Sequence, residues 1–233
     1  MPPNSAQVGA PEARPGDVAA GLAGDEPSSG RAQIDAGRMF TIKTQRLLLR
    51  PFQRSDAREF ARLAGDWAVA SMTSDIPHPF DEAQALAWLK PAKGEVRFAI
   101  EAEGQRLIGG AGFYRRSSGL AELGFWLGKP WWGQGYATEA ARAVLAHGVR
   151  DRRLPAFSSA HFVDNPASGR VLAKLGFVEV ERIPIACTAR GYQVDAITYR
   201  LERQRALLVI APTAGGLAER RRWRTWLGRI GAG

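Results

Sequence analysis

The chain has 233 residues, 45% hydrophobic and 24% charged, an ordinary globular composition with room for one large domain or two small ones. No run of eighteen apolar residues occurs, so no transmembrane helix is expected, and one cysteine (Cys187) with three scattered histidines excludes an internal disulfide and a multi-cysteine metal site. The net charge of +9 is uneven: residues 1–38 carry −2, residues 39–202 carry +5, and residues 203–233 carry +6, which argues against a nucleic-acid binder throughout.

Residues 1–38 hold five Pro and six Gly and lack hydrophobic periodicity. Such a segment cannot offset its ordering entropy and is expected to be a disordered extension. It has no apolar core of a signal peptide. Met39 stands where ordered sequence begins, and is expected to be the native start. Residues 39–202 read as one α/β domain. TIKTQRLLLRPF is a strand; Ser55 and Asp56 open a helix to about Leu63; DIPHPF is a proline-bracketed loop; Asp81 caps a second helix through Trp88. VRFAIEA, RLIGGAGFY and LAELGFWLG are three successive strands. A helix spans about Gly135 to Val149, with Ala141, Leu145, Val149 and Val144 on its apolar face. The strand PAFSSAHFV follows, then a short helix from Asn165-Pro166 to Gly176. VEVERIPI and YQVDAITYRL are the last strands. Residues 203–233 form a basic tail in which Trp223, Trp226, Leu227 and Ile230 recur at helical spacing.

The stretch LGFWLGKPWWGQGYATEAARAVL carries the most chemistry. A strand ends at Leu127, and Gly133-Gln134-Gly135 leads into a helix. Glycines let backbone approach a ligand, and the unpaired first amides of a helix favour a phosphate or pyrophosphate. The dinucleotide fingerprint wants Gly or Ala at position 138, where Thr138 stands. The ATP-binding loop wants Gly-Lys-Ser/Thr, which is missing. A glycine-rich helix start without a ligand stays open on this motif alone.

WWGQGYATEA followed by NPASGRVLAKLGF resembles the GNAT superfamily of acetyl-CoA-dependent N-acetyltransferases, and within it the branch of the ribosomal-protein alanine N-acetyltransferases. TQRLLLRPFQRSDA and the PHPF-then-helix segment fit that branch, and the resemblance covers about residues 42–202. It implies a mixed, strongly twisted sheet of about seven strands with about four flanking helices, in which two central strands splay and acetyl-CoA enters the gap. In the superfamily's pyrophosphate loop, Gln/Arg-x-x-Gly-x-Gly/Ala, Gly135 and Ala137 match, while Trp132 replaces the Gln or Arg. The implied cofactor contacts are Gly133, Gln134, Gly135, Tyr136, Ala137 and Thr138 through backbone, Phe125, Trp126 and Leu127 beside the acetyl-pantetheine arm with backbone hydrogen bonds and an oxyanion donor, and Asn165, which is equally a helix cap. Ser168 resembles the donor of a proton to the leaving thiolate, and is equally a surface or capping serine. No metal is implied.

Acetyl transfer to an amine needs a deprotonated amine, a stabilised oxyanion and a departing thiolate. Strand alternation puts Glu122, Gly124 and Trp126 on one face, opposite Leu123, Phe125 and Leu127. Glu122 is the candidate base, with pairing to an arginine as its alternative; Asp195 is a reserve. His78 lies in the loop that covers the acceptor site in the resembled branch, His147 and His161 read as structural, Cys187 as inert, and Trp131 and Trp132 as packing beneath the loop. The function expected is an N-acetyltransferase acting by direct attack in a ternary complex on a protein N-terminus, an antibiotic amine or a small metabolite. The alternatives are a non-catalytic acyl-CoA-binding module, and a ribosome- or RNA-associated protein using the arginine tail. The expected setting is cytoplasmic, as monomer or homodimer.

Overall fold

The first apolar run, read as one strand, forms two. Thr44 folds the chain back: its amide donates to the Leu47 carbonyl at 2.9 Å, and its hydroxyl accepts from the Leu47 amide at 3.0 Å. Strand β1 (Ile42–Lys43) thereby pairs antiparallel with β2 (Leu47–Arg50). The computed structural model describes residues 41–90, 94–116, 119–150 and 154–210. The expectations for residues 1–38, and for the tail beyond residue 210, lie outside the described residues.

A 3-10 turn at Arg54–Asp56 leads into α1 (Ala57–Ala64). Asp66 accepts from the Ala68 amide at 2.8 Å and opens a short helix, α2 (Trp67–Ala70), that periodicity did not reveal. Asp81 and Gln84 cap α3 (Glu82–Trp88) reciprocally, each side chain accepting from the other's amide at 2.7 and 2.8 Å. Three antiparallel strands follow: β3 (Glu95–Ala102), β4 (Gln105–Arg115) and β5 (Ala121–Leu127). Then come α4 (Tyr136–Arg150), β6 (Ala156–Phe162), α5 (Pro166–Lys174), β7 (Val178–Cys187) and β8 (Tyr192–Glu202). Past the boundary read at residue 202, the apolar run RALLVI forms α6 (Arg203–Ile210), which packs on α4 and buries Ala206. The α/β class and the mixed sheet are as expected. Among the described residues, eight strands and six helices replace about seven and four, because Thr44 splits the first strand and α2 and α6 are short.

The sheet order is β1-β2-β3-β4-β5-β6-β8-β7. Every neighbouring pair is antiparallel except β5 and β6, which are parallel and pair only at Ala121↔Phe157 and Glu122↔Ser158. One face packs on α4, α5 and α6 through Leu49, Ile100, Leu123, Val144, Leu145, Phe157, Leu172 and Leu201. All four residues expected on the apolar face of α4 are buried. The helix lies close to the sheet at Gly148, where a Cβ would sit 2.9 Å from the Phe157 ring. The other face carries α1 and α3 over Phe60, Ile76, Ala85 and Leu107. Each buried Leu, Ile or Phe contributes roughly 1.5–3 kcal/mol, so the two layers hold the split sheet from both sides. Near α1, Arg50 makes a bidentate pair with buried Asp56 at 2.7 and 2.8 Å and also binds Glu101 at 2.7 Å. No described helix is long and apolar enough to cross a membrane.

Candidate active site

The site begins where β5 and β6 part. One residue past their last paired position, the Ser159 hydroxyl donates to the Leu123 carbonyl at 2.9 Å and takes the place of the missing ladder bond. The Leu123 carbonyl therefore faces β6. Alternation directs the amides and carbonyls of Phe125 and Leu127 the same way, into the gap, and those of Gly124 and Trp126 toward β4. The Gly128 amide, on the β4 side, donates to Ile108 at 2.9 Å, in keeping with this phase. The backbone amides of Phe125 and Leu127 thus face the gap. Trp126, expected along the pantetheine arm, has its backbone on the β4 side and its ring in an aromatic cluster, stacked 5.2 Å from Phe60.

Because β5 and β6 are parallel, their C-terminal ends open at the same end of the sheet, where α/β folds place ligands. Beyond β5, Trp132 donates its indole N–H to the Leu127 carbonyl at 2.7 Å. Trp131 packs on the core, but Trp132 is 45% exposed, so it caps strand β5 rather than lying beneath the loop. Gly133 and Gly135 take φ of +75° and +81°, which side chains rarely adopt, and a Cβ at Gly133 would meet nothing within 4 Å. The first helical bond of α4 runs from the Glu139 amide to Gly135 at 3.1 Å, so the amides of Tyr136, Ala137 and Thr138 precede it and point out of the helix end. The Gln134 carbonyl is turned away to Arg46 at 3.0 Å. Open space, two left-handed glycines and three outward amides fit a diphosphate.

Beyond β6, Asn165 caps α5 by accepting from the Ser168 amide at 3.2 Å, so the capping role read from the sequence is filled. Ser168 is in the first turn of α5, at the same end of the gap as the α4 turn.

Glu122 stands at the fork, paired across it with Ser158. Its Oε2 accepts from the Tyr114 hydroxyl at 2.7 Å and from the Arg116 guanidinium. Its surroundings are therefore partly cationic, not only apolar and aromatic. Beside it the Ser158 hydroxyl is buried and has no hydrogen-bond partner among the described residues, an orphan group of the sort that calls for a ligand or water. Asp195 is exposed on β8, opposite Pro184. His78 is tied to the Gly65 carbonyl at 2.8 Å, edge-on to Trp67. His147 packs on Phe98 and Phe113, and buried His161 bonds Tyr199 at 3.1 Å. Cys187 is buried, its thiol directed to the carbonyls of Ser71 and Thr73. Among the described residues no group of three His, Cys, Asp or Glu could hold a metal ion.

Two arginines escaped the sequence reading. Arg46 reaches the α4 turn from the β1–β2 connection. Arg190, in the β7–β8 turn, donates to the Ser71 carbonyl at 2.8 Å and pairs with Asp164 at 2.7 Å, tying the segment after α2 to the residue before Asn165. Their partners lie 88 to 119 positions away in sequence or on another element, and no local pattern signals such contacts.

Residues 46–178 match the family model described as "Acetyltransferase (GNAT) domain". The chain is 32% identical over 177 residues to the uncharacterized N-acetyltransferase YoaA of Bacillus subtilis (strain 168), covering 72% of this chain and 99% of that one. Its fold is similar to a crystal structure of a GNAT-family acetyltransferase from Bacillus anthracis, with a TM-score of 0.62 at 23% identity over 71% of this chain and 99% of the other. It is also similar to RimL, a ribosomal L7/L12 alpha-N-protein acetyltransferase solved in complex with coenzyme A, with a TM-score of 0.60 at 18% identity over 70% and 98% of the two chains.

Proposed function

Because the chain belongs to the GNAT acetyltransferase family, we propose that it transfers acetyl from acetyl-CoA to a primary amine by direct attack in a ternary complex. The observation that carries the reading is the parting of β5 and β6 directly beside the glycine-rich start of α4. The amides of Tyr136, Ala137 and Thr138 would hold the pyrophosphate, with Gly133 and Gly135 giving room for it. The gap-facing backbone of Phe125 and Leu127 would bind the pantetheine arm in the manner of an added strand, and one of their N–H groups would stabilise the oxyanion. Trp126 lies between them beside the same arm, its ring stacked on Phe60.

Glu122 takes the amine proton, directly or through a water held with Ser158. The amine nitrogen bonds to the thioester carbon, and the carbon–sulfur bond then breaks. Ser168 donates a proton to the departing sulfur, and Asn165 holds the turn that places it. No covalent enzyme intermediate is needed. The acceptor classes that fit are a protein N-terminus, an antibiotic amine or a small metabolite. The lone thiol and the use of acetyl-CoA suit a cytoplasmic setting.

Calorimetric titration of the full chain with acetyl-CoA tests the reading. Micromolar binding, lost in Gly135→Glu but with the fold retained by circular dichroism, is the expected result. Thiol release with a panel of peptide and polyamine acceptors then identifies the amine. Binding without turnover of any amine would favour the non-catalytic acyl-CoA-binding alternative. A folded chain that does not bind acetyl-CoA would overturn the proposal.

A further inference from the structure

We propose that Arg46 is a positioning residue for the phosphate-binding turn, neutralising Glu139 so that the start of α4 can accept the diphosphate of coenzyme A. The inference rests on the acetyl-CoA reading above and assigns a role to two residues outside the expected binding loop.

Glu139 creates the need. A helix start carries roughly +0.5 of an elementary charge, yet Glu139 places a full negative charge in the first turn of α4. That charge stabilises the helix and repels a diphosphate. It is also firmly held. Oε1 accepts from the Thr44 hydroxyl at 2.7 Å and the Arg46 amide at 2.9 Å; Oε2 accepts from Arg46 Nε at 2.8 Å and Nη2 at 2.7 Å. Burial alone would push the carboxyl up, but these bonds outweigh it and keep the group below the usual carboxylate range. Protonation therefore does not remove the charge near neutral pH. A fixed cation must balance it.

Arg46 is that cation, and its other donors reach the turn itself. Nη1 donates to the Gln134 carbonyl at 3.0 Å, which draws this acceptor away from the face where the diphosphate would sit. The guanidinium stacks 4.6 Å from the centre of the Tyr136 ring. A Cβ built on Gly135 would lie 3.4 Å from Nη2. One planar fork thus joins the β1–β2 connection, the glycine turn and the first turn of α4.

The test is calorimetric titration of the full chain with coenzyme A, for wild type, Arg46→Met, Arg46→Lys, Glu139→Gln and the double variant Arg46→Met/Glu139→Gln. Arg46→Met is expected to weaken binding at least about tenfold, because it exposes the diphosphate to an unbalanced carboxylate. Glu139→Gln is expected to bind at least as tightly as wild type. The double variant should return to within about threefold of wild type, and Arg46→Lys, which keeps the charge, should hold most of the affinity. Rescue by removing a second side chain is a result that a purely scaffolding role cannot give. Wild-type affinity in Arg46→Met overturns the proposal, and so does a double variant as weak as Arg46→Met. A folded wild type that does not bind coenzyme A overturns the acetyl-CoA reading itself, and the role of Arg46 with it.

Discussion

Replacing Glu122 by glutamine separates a catalytic carboxylate from a merely paired one. The amide keeps the shape and can still accept from the Tyr114 hydroxyl, which lies 2.7 Å from Oε2 in the native chain. It carries no charge and takes no proton. A positioned general base contributes roughly 10²–10⁴-fold, so its loss raises the barrier by about 2.7–5.4 kcal/mol at 1.36 kcal/mol per tenfold. The structural loss is much smaller. The Arg116 side chain is 52% exposed, and exposed ion pairs are worth about 0–1 kcal/mol, which corresponds to a fall in Tm of no more than about 4 °C. The assay is thiol release from acetyl-CoA with an amine acceptor, recorded as kcat and KM across pH, beside thermal denaturation. A fall in kcat of at least about 100-fold is expected, with the KM for acetyl-CoA unchanged and Tm nearly constant. A variant with kcat within about threefold of wild type and the same pH profile would refute the base assignment. Glu122 would then be a strand carboxylate paired with Arg116.

Other expectations concern stability and its pH dependence. Glu139 titrates lower folded than unfolded, so its contribution is full above the unfolded value and is lost as pH falls through the folded one; the gap in urea midpoint between wild type and Glu139→Gln should narrow from pH 6 to pH 3, and a constant gap would contradict the bonding described (the pH values are about those bracketing an ordinary glutamate). Asp56→Ala leaves the largely buried Arg50 with Glu101 as its carboxylate partner among the described residues. Breaking a buried pair costs on the order of 3–5 kcal/mol, and urea denaturation should show a loss of that size; a change below about 1 kcal/mol would show that solvent reaches the site.

The order of the main elements was legible in the sequence because each is a local pattern. Period-two runs marked the strands, the Asp81 and Asn165 caps marked helix starts, and the Val144, Leu145 and Val149 face marked the core of α4. What was missed was short or bent. Four residues of α2 give no period, and the Thr44 turn interrupts an apolar run without Gly or Pro. The helix α6 needs the surface of α4 to bury Ala206 and to cover Val209 and Ile210 in part.

The sequence by itself also determined the chemistry of the α4 start, because Gly133, Gly135 and the helix they introduce are neighbours along the chain. Backbone conformation and unpaired amides follow from such local order. Only the tertiary structure decided which groups meet at the fork. The two-residue contact of β5 with β6 sets the phase that turns Phe125 and Leu127 into the gap and Trp126 away from it. The same packing brings Arg116 and Tyr114 to Glu122, Arg46 to Glu139 across 93 positions, and Arg190 to Ser71 across 119. Side-chain electrostatics depend on distance in space, and a few ångströms there can lie a hundred residues apart along the chain.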